Sequence, residues 1–144
     1  MGMLHGTCLE IDGVGVLLQG PPGSGKSDLA LRMVDDGARL VADDQVEMRA
    51  TGGRVRAAAP ETLCGMMEVR GIGVVNVPNV TSVDIGLVVR LMPSEDVPRM
   101  PEPSHTEIEG VQLPLFPMAP FESSAPAKLR LAVRATQHEI VLNG

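Results

Sequence analysis

The chain has 144 residues, 44% hydrophobic and 21% charged, with a formal net charge of −6. That is enough for one domain with a real core, and the proportions are those of an ordinary globular protein. Trp and Tyr are absent and Phe116 and Phe121 are the only aromatics, so neither base-stacking platforms nor a basic run invites nucleic acid.

The first elements read cleanly. Thr7–Ile11 is a predicted strand, Asp12-Gly13 a hairpin turn and Val14–Leu18 a buried strand. His5 lies ahead of that first strand, and Met1-Gly2 before Met3 reads as an added remnant or an alternative start. Gly20–Gly25 follows, and Ser27–Val34 sets Leu29, Ala30, Met33 and Val34 on one helical face, with Gly37 at the C-cap position. Arg39–Ala42 is a short strand ending in Asp43-Asp44. Val46–Ala50 and Arg54–Ala58 flank Thr51-Gly52-Gly53 as a second hairpin, and Val74–Val77 and Ile85–Leu91 are further strands.

Eight of the twelve prolines lie between Pro93 and Pro126. Continuous helix or a central strand is therefore not expected there, and the segment reads as loop with short edge strands around Val111–Leu115. Ala125–His138 suits a final strand or a short helix equally. Cys8 and Cys64 have neither metal-ligand spacing nor the density of a disulfide scaffold, so they read as thiols in a reducing cytoplasm. The N-terminus lacks a signal-peptide pattern and no apolar run reaches bilayer length, so no membrane is expected.

Gly20-Pro21-Pro22-Gly23-Ser24-Gly25-Lys26-Ser27 fits G-x-x-x-x-G-K-[ST] at every fixed position, between a predicted strand and a predicted helix. In such a loop, successive backbone N–H groups converge on phosphate oxygens and the following helix turns its positive end toward them. Lys26 would reach the β- and γ-phosphates of ATP, and the Ser27 hydroxyl would enter a Mg²⁺ shell. Asp43 and Asp44 close a strand after the loop, where a sheet of this kind places a metal or base carboxylate. An Asp pair at a strand end is also an ordinary turn. Glu68 sits among Met66, Met67 and Val69, and a carboxylate there needs either Arg70 as an ion-pair partner or a metal. Arg70 and Arg130 are the candidate sources of transition-state charge. His5 is a catalytic candidate; His105 and His138 have weaker claims.

Together these residues resemble a family. His5-Gly6, the spacing to Gly20–Ser27, then Leu40-Val41-Ala42-Asp43-Asp44, then Glu68-Val69-Arg70-Gly71-Ile72-Gly73-Val74 are similar to the catalytic domain of HPr kinase/phosphorylase, from about Leu4 to Asn76. The resemblance implies an α/β P-loop kinase domain with a strand-rich core like that of phosphoenolpyruvate carboxykinase, usually a hexamer. It implies ATP- and Mg²⁺-dependent phosphorylation of a seryl hydroxyl on the phosphocarrier HPr, with many members attacking phosphoseryl-HPr by inorganic phosphate to release pyrophosphate. On that basis Lys26 binds phosphate, and Ser27 and Glu68 hold Mg²⁺ beside Asp43. Asp44 is the base (the acid in reverse), His5 the active-site histidine and Met67–Asn76 the catalytic loop. Residues 1–144 are then expected to form a single catalytic domain without the N-terminal domain of longer members. Where those members carry a basic loop, Pro120–Pro126 has no Arg or Lys, so the reverse reaction is expected to be weak. The competing expectations are a small-molecule P-loop kinase or NTPase, and a nucleotide-sensing regulatory module.

Overall fold

The structure is a computed structural model that describes residues 2–138. Among these residues eleven strands and two α-helices follow in the order β1 (Gly2–His5), β2 (Thr7–Ile11), β3 (Val14–Gln19), α1 (Lys26–Asp35), β4 (Arg39–Ala42), β5 (Gln45–Thr51), β6 (Arg54–Ala58), β7 (Met66–Val69), β8 (Gly73–Asn76), β9 (Ser82–Leu91), β10 (Ser104–Ile108), β11 (Val111–Met118) and α2 (Ala125–Thr136). Met1 lies outside the described residues.

Nine strands share one sheet in the order β1-β5-β6-β9-β3-β2-β4, while β7 and β8 pair only with each other. The long strand β9 is the trunk. One edge runs parallel to β3, and the other pairs first with β6 and then, from Val88 on, with β11. Because β2 is antiparallel to both β3 and β4, the strands β4, β3, β9 and β11 all point the same way. Their C-terminal ends share one rim, where open α/β sheets bind ligands.

Two short connectors bend this sheet. Only Gly6 joins β1 to β2, and only Asp43-Asp44 joins β4 to β5, yet β1 and β5 stand at one end of the strand order and β2 and β4 at the other. The sheet must curl until its two ends meet at that corner. Its concave face holds one core, in which Val46, Met48 and Val55 pack with Cys8, Leu17 and Val88. Its convex face packs Leu9, Val16, Leu18, Leu87 and Val89 against Leu29 and Met33 of α1 and Leu129 and Val133 of α2. Gly86 is an extra residue opposite the step from Gly15 to Val16, and this bulge exchanges the faces. Val83 and Ile85 before it face the concave core, whereas Leu87, Val89 and Leu91 after it face the helices.

Helix α1 ends in a Schellman motif. Gly37 takes φ 107°, its N–H donates to the Val34 carbonyl, and the Ala38 N–H donates to that of Met33. The proline-rich stretch departs from expectation. β11 carries Pro114 and Pro117 and still reaches the centre of the sheet, because β10 pairs with residues 111–115 and β9 with residues 115–118. Only Leu115 is flanked on both sides, so at each proline one flank is open and the missing N–H is tolerated. Ala125–Thr136 is a helix, which decides between the two expected forms. β1, β7 and β10 were not anticipated, and His5 lies inside β1 rather than ahead of the first strand. No helix among the described residues is long and apolar enough to cross a membrane.

Candidate active site

The Gly20–Ser27 loop leaves the C-terminal end of β3 and enters α1, as its sequence predicts. Gly25 adopts φ 102°, and a Cβ there would lie 2.8 Å from Pro120 Cγ and 2.9 Å from Phe121 Cζ, so neither the backbone nor the space admits a side chain. Lys26 is 7% exposed and its Nζ donates to the carbonyls of Gly20 and Pro21 at 2.7 and 3.1 Å. The ammonium is thus stored across the loop it belongs to. Ser24 Oγ is buried and has no hydrogen-bond partner among the described residues, an unsatisfied polar atom within the loop. A loop with an orphaned hydroxyl, a cation held only by carbonyls and a helix start suits a polyphosphate.

The sheet corner supplies the other half. Thr7 Oγ1 and Ser27 Oγ each donate to Asp43 Oδ1 at 3.1 Å. His5 Nδ1 stands 3.4 Å from Asp44 Oδ1, and the Gly6 N–H donates to the Asp44 carbonyl at 2.9 Å. Three consecutive residues, His5, Gly6 and Thr7, therefore clamp the aspartate pair. Asp44 holds φ 72°, a left-handed conformation that Asp tolerates better than most residues, and this turns its exposed carboxylate out on the rim while Asp43 faces the loop. The hydroxyl of Ser27 and the carboxylate of Asp43 are hard oxygen donors, the kind that Mg²⁺ prefers.

Glu68 and Arg70 stand apart from this cluster. Both are exposed on the β7–β8 hairpin, which is anchored by Met67 in the convex-face core. Neither makes a hydrogen bond or ion pair among the described residues, so the expected alternative of a Glu68–Arg70 ion pair is not realised. Nor does any cluster of three His, Cys, Asp or Glu side chains suited to a metal occur among the described residues. Arg130 is corrected outright: it pairs with Asp36 at 2.6 Å and with the Asp36 carbonyl, at the end of α1 opposite the loop.

Sequence reasoning missed the role of Thr7, whose apolar neighbours made it read only as a strand residue. It also missed the turn after β11. Arg32 of α1 donates to the Pro120 carbonyl, and Glu122 accepts from Ser94 Oγ and Lys128 Nζ at 2.9 and 2.8 Å. The bond from Lys128, then that from Ser94, holds the Glu122 carboxyl below its ordinary range.

Comparison with known proteins gives this geometry a family. The HPr Serine kinase C-terminal domain family matches residues 1–117. The chain belongs to that family. An HPr kinase/phosphorylase from Brevibacillus brevis is 48% identical over 75 residues, 51% of this chain and 24% of the relative. One from Clostridium tetani is 37% identical over 95 residues, 61% of this chain and 31% of the relative. The chain thus spans less than a third of the curated relatives' length. The structure of the Hpr(Ser) kinase/phosphatase from Coxiella burnetii superposes with a TM-score of 0.86 at 26% identity, covering 96% of this chain and 98% of that one. The resemblance read from the sequence and the mixed, strand-rich α/β fold both hold. The segment matching the HPr serine kinase family contains the loop, the aspartate pair and the β7–β8 hairpin, and it ends before the Pro120–Glu122 turn.

Proposed function

We propose that this chain is a cytoplasmic, ATP- and Mg²⁺-dependent kinase domain that phosphorylates a serine of an HPr-like phosphocarrier. The observation that carries the reading is the corner where His5-Gly6-Thr7 holds Asp43 against Ser27 and turns Asp44 outward, beside Lys26. Family membership supports the reaction class, and the relatives' names supply HPr as the substrate to test.

Each residue has a separate task. Lys26 exchanges the carbonyls of Gly20 and Pro21 for the β- and γ-phosphates, a contact between opposite charges in place of one between a cation and neutral acceptors. Ser27 and Asp43 would hold Mg²⁺, with Glu68 as a further carboxylate from the β7–β8 hairpin. The ion, when bound, neutralises charge on the phosphates. Asp44 accepts the seryl proton, His5 orients and polarises that carboxylate, and Arg70 faces the charge that develops in transfer. Among the described residues Glu68 and Arg70 carry no competing partner, so the hairpin can deliver both.

The reverse reaction, phosphate attacking phosphoserine, must hold two anions together. With Phe121 at the loop, Glu122 tied to Lys128 and Arg130 tied to Asp36, the Pro120–Pro126 turn itself adds no cation, and reverse activity is expected to be far below the forward rate. Residues 1–144 act as one catalytic domain, assembled as a homo-oligomer of the hexameric kind. Incubation with γ-labelled ATP, Mg²⁺ and purified HPr-type carriers tests the reading. Label on a carrier serine is expected. Label released only as free phosphate, or carried only on a metabolite, would overturn it.

A further inference from the structure

We infer that Phe121 is a stacking platform for the nucleoside of the bound nucleotide, a binding subsite beside the phosphate loop. The inference rests on the nucleotide reading above. Of the two aromatic residues in the chain, Phe116 is half-buried and packs on the convex-face core, so Phe121 is the one whose ring is available. That ring is 69% exposed and its edge lies on Gly25, the residue before Lys26. Leaving so much aromatic surface in water forgoes most of the stabilisation that burial would give. Yet the ring is not on a loose loop. Arg32 holds the carbonyl of Pro120 before it, and Ser94 and Lys128 hold the carboxylate of Glu122 after it. Residues on both sides are fastened, and the ring between them is presented to solvent at the rim.

Topology says which part of a nucleotide it meets. The transfer end of the site is marked by Ser27 and Asp43, on the flank of the loop where β4 ends. A nucleotide whose terminal phosphate lies there must extend its nucleoside toward the other flank. That flank carries the ends of β9 and β11 and the turn that bears Phe121. A phenyl ring offers phosphates no donor, whereas any base presents a π-face to it. The platform therefore adds affinity for nucleoside polyphosphates and none for a bare polyphosphate.

The probes are Mg²⁺-ATP and Mg²⁺-tripolyphosphate, titrated calorimetrically into the full chain. Phe121→Ala is expected to weaken ATP on the order of tenfold to a hundredfold, the range for loss of one base–aromatic stack, and to leave tripolyphosphate within about twofold. Because the chain has no Trp or Tyr, Phe121→Trp places a single fluorophore at the site. Its emission should be quenched by ATP and not by tripolyphosphate. Equal loss for both probes, no loss for ATP, or equal quenching by both would overturn the inference while leaving the loop reading intact. Failure of the unsubstituted protein to bind either probe would overturn both.

Discussion

Replacing Thr7 by Val tests whether the sheet corner sets the site. Thr7 is 1% exposed and Val has nearly its shape, so packing is preserved and one hydrogen bond is lost. That bond runs to Asp43 Oδ1 at 3.1 Å. A hydrogen bond to a charged group contributes about 1.5–3 kcal/mol. Asp43 is half-buried and keeps the Ser27 hydroxyl, which argues for the lower end, about 1.5 kcal/mol. Urea unfolding followed by circular dichroism should show that loss in Thr7→Val, with Thr7→Ser close to the unsubstituted protein. A merely structural role would end there. If Thr7 fixes the carboxylate that faces Mg²⁺, the Mg²⁺ concentration for half-maximal phosphoryl transfer should rise about tenfold, the equivalent of 1.4 kcal/mol, and Thr7→Ser should restore it. An unchanged Mg²⁺ midpoint in Thr7→Val, or no restoration by Ser, would refute the reasoning.

Lys26→Ala is expected to abolish phosphoryl transfer while the fold survives, since only two bonds to loop carbonyls are lost; wild-type transfer would remove the loop from the account. Burial pushes the Cys8 thiol up, whereas Cys64 is exposed, so iodoacetamide at pH 8 should modify native protein at Cys64 alone by peptide mass mapping. Because the Glu122 carboxyl is held below its ordinary value of 4.5, its contacts with Lys128 and Ser94 are intact above that value and lost as pH falls through the lower folded one. Amide NMR shifts of Ser94 and Lys128 should move on acidification with a midpoint below 4.5; a midpoint at or above 4.5 would contradict the clamp.

Much of this was legible in the residues. The apolar runs of Thr7–Ile11 and Val14–Leu18, buried on both faces, and the helical face of Leu29 to Val34 lie where expected, because the signal for each is local in the sequence. The glycine-rich loop was readable because its spacing specifies backbone conformation directly. What escaped depends on partners distant in sequence. β11 tolerates Pro114 and Pro117 only because β10 and β9 share it nearly end to end, which no window around the prolines reveals. β1 is an edge strand defined by its pairing with β5. Thr7 and Asp43 are 36 residues apart and meet only because the sheet curls. Arg130 misled for the same reason: nearness in sequence to the Pro120–Pro126 turn says nothing of the helix turn that carries it to Asp36.

The central claim is that Asp44, held by His5, takes the proton of a carrier serine. Phosphopeptide mapping of an HPr-type carrier after incubation with ATP and Mg²⁺ tests it most directly, with the unsubstituted chain beside Asp44→Asn. The account predicts one phosphoserine, formed on the order of 10²–10⁴ times more slowly by the variant, the range for loss of a general base. Transfer to the carrier at equal rates by both proteins, or no phosphoserine from either while ATP is consumed, would contradict it.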